Sequence, residues 1–156
     1  MEKSKIEEIL SFYQAGNYKT AEKEIIPLIE KSPNNLSLLN LLGGILVGQK
    51  KYEKAVKCLK KAIEINPNLS QFYYNLGYVF GELKKYDESI KNYNQAIKFK
   101  PNNVKAYNNL GTIFKVQNRF EEAINMYTKI IDIDINFEDE YKNLALIYCD
   151  IGKIDE

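Results

Sequence analysis

Large aromatic or apolar residues recur every 34 positions at Tyr18, Tyr52, Tyr86 and Phe120, with Ile154 next in the series. Pro33, Pro67 and Pro101 keep the same step. A fixed interval of this length marks a chain made by stacking copies of one supersecondary unit, each too small to bury its own apolar face. The chain is therefore expected to form a file of similar units with a long shared surface, and no pocket closed off for chemistry.

Cut at that step, the 156 residues divide as a single repeat domain, 1–156, with units at about 2–35, 36–69, 70–103 and 104–137 and a truncated unit at 138–156. The first half of each unit carries Leu39, Leu42, Gly43 and Leu46, then Tyr73, Leu76, Gly77 and Phe80, then Tyr107, Leu110, Gly111 and Phe114, and last Tyr141, Leu144, Ala145 and Tyr148. Steps of three, one and three place each set on one helical face. The second half carries a small residue (Ala21, Ala55, Ser89, Ala123), then a large one four places on (Ile25, Leu59, Tyr93, Tyr127), then Leu28, Ala62, Ala96 or Ile130. Each unit thus reads as two amphipathic helices, A and B.

The punctuation agrees. Proline cannot continue the helical hydrogen bonds and biases the residue before it away from helical angles, so Pro33, Pro67 and Pro101 mark turns between units. Gly16, Lys50, Lys84, Asn118 and Gly152 fall in the shorter turn from A to B. Gly43, Gly77 and Gly111 are read as packing residues that let helices approach closely. Pro27, inside helix B of the first unit, is expected to kink it. The first unit is degenerate in helix A, with Lys5 and Glu8 at apolar columns and Ile6, Ile9, Leu10 and Tyr13 as its apolar set, as a terminal cap requires.

These motifs resemble the tetratricopeptide repeat over nearly the whole chain. The Tyr-x-Asn-Leu-Gly pattern is similar to the repeat domains of O-linked N-acetylglucosamine transferase-like and bacterial repeat-transferase proteins. The resemblance implies an all-α, right-handed α-solenoid of antiparallel helix pairs whose A helices line a concave groove. The fourth unit departs from the family pattern at Ile130 and at Ile135, where a small residue and a proline are usual, so its junction to the fifth is expected to be looser or differently angled.

Composition excludes more than it assigns. The chain is 45% hydrophobic and 28% charged with net charge +1, which gives no argument for nucleic acid or a membrane as partner. There is no histidine, the commonest general base and metal ligand. No nucleophile elbow, phosphate loop or metal-ligand spacing is present, so the reading is no enzyme, no catalytic residue, no metal and no cofactor. Asp132, Asp134, Glu138 and Asp139 lack the glycine and the spacing of a calcium loop. Cys58 and Cys149 lie more than two units apart and are read as reduced thiols of a cytoplasmic protein.

The groove positions are those left over after packing. Asn75, Asn109 and Asn143 form one column, each directly before the packing leucine. An amide both donates and accepts, so such a ladder can pair with the backbone of an extended peptide whatever its side chains. In the transferase repeats it resembles, a like ladder holds the polypeptide substrate. Packing the A helices in register is the rival reading, and both stand at this point. Leu41 breaks the column in the second unit. Tyr74, Tyr78, Asn108 and Lys142 flank the ladder, and the two tyrosines serve equally well as groove floor. The carboxylate clamp of heat-shock co-chaperones is missing, because the central column reads Leu10, Gly44, Tyr78, Thr112 and Leu146.

Three functions compete. The first is a protein-interaction module that binds an extended peptide or protein segment in its concave groove. The second is a self-assembling scaffold, docking through Tyr141, Leu144 and Tyr148 on a fifth A helix whose own partner helix is cut short. The third is a substrate-recruiting arm of a larger transferase, of which this sequence would be a fragment.

Overall fold

The computed structural model describes residues 2–134 and 138–152. Among them run nine α-helices: α1 (Glu2–Gln14), α2 (Tyr18–Lys31), α3 (Leu36–Gly48), α4 (Tyr52–Ile65), α5 (Ser70–Glu82), α6 (Tyr86–Phe99), α7 (Val104–Val116), α8 (Phe120–Ile133) and α9 (Glu138–Gly152). The odd-numbered helices are the A helices of the sequence pattern and the even-numbered ones its B helices. Every helix packs on its chain neighbours, and α3 and α7 also touch α5, the arrangement of an α-solenoid. None of the described helices is long and apolar enough to cross a membrane.

Two kinds of turn set the file. After each of the first four A helices the backbone enters the left-handed region once, at Gly16 (φ 75°), Lys50 (58°), Lys84 (56°) and Asn118 (57°). At Lys84 the geometry is a Schellman motif: the Lys85 amide donates to the Phe80 carbonyl and the Lys84 amide to the Gly81 carbonyl, both at 2.9 Å. A side chain in this conformation costs about 1–2 kcal/mol, which glycine avoids at Gly16. Between units, the residues before Pro33, Pro67 and Pro101 take extended φ of −135°, −141° and −141°, the restriction that proline imposes on its predecessor. The next helix is then capped by a side chain where one is available. The Asn35 carbonyl oxygen accepts from the Ser37 and Leu38 amides at 3.0 and 3.2 Å, and that of Asn103 from the Ala106 amide at 3.3 Å.

The predicted packing columns are interior. Ala21, Ala55, Ala62, Ala96 and Ala123 are fully buried, as are Leu59, Tyr93, Tyr127 and Ile130 to within 2%. The glycines of the A helices make room for the large residue of the unit's own B helix. A Cβ added at Gly77 would stand 2.9 Å from the Tyr93 ring, and one at Gly111 2.7 Å from the Tyr127 ring. Ser89 occupies the small-residue column of α6, and its hydroxyl donates to the Gly77 carbonyl at 2.6 Å, fastening A to B from inside the core.

The structure adds two columns to the packing set. Leu38, Phe72 and Ala106 are buried near the start of α3, α5 and α7, and Ile45, Val79, Ile113 and Ile147 are buried near the end of α3, α5, α7 and α9. An A helix meets two B helices, its own and the preceding one, so its apolar stripe is broader than the spaced signature. Both columns repeat at the same 34-residue step in the sequence and were legible there.

Three local expectations met particular outcomes. The helix α2 runs without a break from Tyr18 to Lys31, with Pro27 inside it and exposed. In the first unit, the Lys5 ammonium reaches Glu24 of α2 at 2.7 Å and Glu8 at 3.1 Å, so an ion pair stands in the column that apolar residues fill elsewhere. At the junction of the fourth and fifth units, Ile130 and Ile147 are both fully buried in one cluster, so the larger residue at the alanine column is accommodated. Ile135 and Ile154 lie outside the described residues. Neither cysteine forms a disulfide; Cys149 is exposed, and Cys58 donates to the Leu39 carbonyl at 3.3 Å, its thiol pushed up to about 11 by burial.

Candidate groove site

A concavity spans the first three units. It has a volume of about 890 Å³ and is walled mainly by α1, α3 and α5. Two of its lining residues are glycines on one face of α3, Gly44 and Gly48, one helical turn apart. The Tyr13 hydroxyl lies over Gly44, where an added Cβ would stand 3.1 Å from it, and the Tyr18 ring lies over Gly48, where the distance would be 2.5 Å. Tyr13 and Tyr18 rest against each other with ring centroids 5.8 Å apart. On α5 the same two positions are Tyr78 and Glu82, so glycines covered by Tyr13 and Tyr18 give way to a phenol and a carboxylate within one unit.

Of the residues singled out from the sequence, Asn75, Tyr74 and Tyr78 line this cavity. Asn108, Asn109, Lys142 and Asn143 do not; they stand farther along the A-helix face, on α7 and α9. Asn75 donates to the Asn40 side-chain oxygen at 2.8 Å and accepts from the Gln71 amide at 2.8 Å. That chain of amides links α3 to α5 across the floor. Each amide bond partner uses one site, so Asn75 retains one N–H and one lone pair for a ligand. Asn109 is held differently. Its amide nitrogen donates to the Tyr93 hydroxyl at 2.9 Å and reaches the Tyr74 hydroxyl at 3.5 Å, which spends both hydrogens and leaves the carbonyl oxygen. Asn143 is half-buried on α9, Asn108 is half-buried, and Lys142 pairs with Asp139 at 3.1 Å.

The tyrosines divide by environment. Tyr93 is 2% exposed and its ionisation is strongly opposed by burial, so it is a neutral donor and acceptor at any ordinary pH. Tyr74 leans on it with ring centroids 5.7 Å apart, serving as groove wall and packing residue at once. Tyr78 is 39% exposed. Tyr73, a packing residue by column, is half-buried and stacks on Phe99 at 5.5 Å. Tyr52 donates its hydroxyl to Glu82 at 2.9 Å, and this bond raises its pKa, with some help from burial. Burial first, and the Glu82 carboxylate second, also raise that of Tyr78.

Sequence reasoning missed the walls supplied by Tyr13, Tyr18, Tyr52 and Glu82. Tyr18 and Tyr52 belong to the repeating column that opens each B helix, whose regularity pointed to packing alone. The pair Gly44 and Gly48 was the available signal, since both break columns that carry side chains in the next unit. Among the described residues no group of three or more acidic, cysteine or histidine side chains is placed to hold a metal.

The comparisons with known proteins agree with this architecture. Family models described as TPR repeat match residues 43–84 and 80–117, and one described as tetratricopeptide repeat matches 104–137. No curated protein matches the chain in sequence. Among solved structures, it is similar to MamA at 24% identity and TM-score 0.82, covering 91% of this chain and 83% of that one. A thermophilic TPR protein of Thermus thermophilus matches at 18% identity and TM-score 0.79, covering 90% and 78%. A tetratricopeptide repeat protein from Parabacteroides merdae matches at 20% identity and TM-score 0.84, covering 98% of this chain and 61% of that one. At these identities the structures speak for the fold alone, while the repeat itself is matched residue by residue: the chain belongs to the tetratricopeptide repeat family.

Proposed function

We propose that this protein is an interaction scaffold that takes an extended segment of a protein partner along the face of its A helices, entering at the groove of the first three units. Membership of a family of interaction repeats supports the general role. The observation that supports the binding mode is the groove itself, where Tyr13 and Tyr18 pack over Gly44 and Gly48 and half-satisfied amides line the edge. An extended chain offers a backbone N–H and C=O at every residue, and Asn75, the Asn109 carbonyl and Asn143 are groups able to meet them. Tyr74, Tyr78, Asn108 and Lys142 would flank such a segment.

The test is to select short random peptides on the protein and map their contacts by chemical-shift changes. Shifts are expected at Tyr13, Asn40, Asn75 and Tyr78, and Gly44→Phe, which displaces Tyr13 and drives a ring into the cavity, is expected to abolish binding while the helical content stays. Undiminished binding by that variant rejects the groove reading.

A second reading is favoured by α9, where Tyr141 is 45% and Tyr148 60% exposed beside a half-buried Leu144. That face would dock on another copy of the chain. Sedimentation showing a monomer at millimolar concentration rejects it.

A further inference from the structure

The groove contains a binding chemistry that the amide ladder does not use. Five of its lining residues are tyrosines (13, 18, 52, 74 and 78), while Lys50 and Glu82 are its charged ones. Glu82 stands in the last turn of α5. One of its oxygens accepts from Tyr52 on α4 at 2.9 Å, and its side chain shares a helical face with Tyr78, one turn earlier. Among the described residues Glu82 pairs with no lysine or arginine, and Lys50 makes no ion pair with it. A carboxylate has room for several donors, so the phenols of Tyr52 and Tyr78 beside it leave capacity for a further one. Tyr52 and Tyr78 stand beside it, and the face of an aromatic ring attracts a cation.

We propose that this corner of the groove receives an arginine or lysine side chain of the bound segment, with its cation paired to Glu82 and held against the rings of Tyr52 and Tyr78. The proposal rests on the groove reading above and names the partner's chemistry: an extended segment with a basic residue at one fixed position. The electrostatics agree, since the carboxylate already disfavours ionisation of both phenols and would do the reverse for an incoming cation. Glutamate in a wall of tyrosines serves a basic side chain better than an acidic or aliphatic one. An acidic residue would meet like charge, and an aliphatic one would strip water from Glu82 without replacing the lost hydrogen bonds.

The experiment starts from peptides selected on the full chain from a random library. The peptides are expected to share one arginine or lysine. Replacing it by citrulline, which keeps the shape and loses the charge, should weaken binding by about tenfold or more. Glu82→Gln should weaken the arginine peptide by a similar factor and leave the citrulline peptide unchanged, so that the two changes are coupled. Tyr78→Leu, which leaves Glu82 in place, should weaken the arginine peptide several-fold and covers the case in which the Glu82 variant is poorly folded. Peptides that shift the Tyr52 and Tyr78 ring resonances but share no basic residue, or bind Glu82→Gln equally well, overturn the cation site and leave the groove reading standing. Peptides that shift only residues outside the cavity, or a library that yields none, overturn both.

Discussion

The two halves of the A-helix face differ in one respect that matters for binding. On α3 the groove positions are Gly44 and Gly48, and on α5 they are Tyr78 and Glu82; on α7 they become Thr112 and Val116. The packing columns beside them hardly vary, because each must fill the same space between the same neighbours. Gly43, Gly77 and Gly111 recur unchanged, and Leu46, Phe80 and Phe114 are all at most 9% exposed. A repeat therefore separates two duties by helical face. One face is bound by close packing, where a change of one methylene is felt; the other is free to take any size, and where that size falls to nothing Tyr13 and Tyr18 lie against the backbone.

The largest effect tests the support of the high half. Tyr93→Ala removes the ring on which Tyr74 leans and against which Gly77 fits, and is expected to cost about 3–5 kcal/mol. At roughly 2–4 °C per kcal/mol for a chain of this size, thermal melting should fall by on the order of 10 °C. A loss of only a degree or two would mean that α5 and α6 do not depend on this contact.

Gly48→Ala addresses the low half. The added Cβ would meet the Tyr18 ring at 2.5 Å, so the ring must move, at about 1–3 kcal/mol. Unchanged melting with an unchanged Tyr18 environment in the ring resonances would contradict the close approach.

The ladder asparagines sharpen the contrast between halves. From the sequence alone, replacing Asn75 and Asn109 by alanine is expected to weaken peptide binding at no cost in stability. The structure separates them. Asn75→Ala frees the partly exposed amides of Asn40 and Gln71, which water can satisfy. Asn109→Ala strips the buried Tyr93 hydroxyl of its donor and should cost about 1–2 kcal/mol. Equal melting temperatures for the two single variants would remove the structural duty assigned to Asn109.

A gain is expected at the A–B turns. Lys84→Gly relieves a side chain at φ 56° and should stabilise by roughly 0.5–1 kcal/mol, read as a higher denaturant midpoint. Lys50→Gly should do the same in the low half. Loss of stability in either would show that the lysine side chain holds the turn.

The smallest effect is in acid. Lys51 at 2.7 Å and Gln49 at 2.8 Å hold the Glu22 carboxyl below its ordinary value of 4.5. Its folded pKa lies under its unfolded one, so the contribution is complete above that value and is lost as pH falls through the folded pKa. For a partly exposed pair it is at most about 1 kcal/mol. Glu22→Gln should therefore narrow the stability difference from the parent below about pH 4, as followed by urea titration across pH.

The sequence by itself determined the file of helix pairs, because a 34-residue period, prolines at unit ends and apolar steps of three and four leave a stack as the structure that buries every apolar face. It also placed Gly16, Lys50, Lys84 and Asn118 in the turns from A to B and identified the packing glycines, while Gly152, read as a fifth turn residue, ends α9. Two further packing columns were equally periodic, yet fell outside a signature built from one helical face. Tertiary structure decided what the leftover positions do. Asn75 and Asn109 occupy one column, but only contact with Asn40 in one case and with Tyr93 in the other shows that the first links two A helices and the second satisfies a buried hydroxyl. Likewise Tyr52 and Glu82 are 30 residues apart and meet because α4 lays its first turn beside the last turn of α5. Periodicity reports the contacts that recur in every unit. A groove is made by the residues that differ from one unit to the next, and their neighbours are known only once the units are stacked.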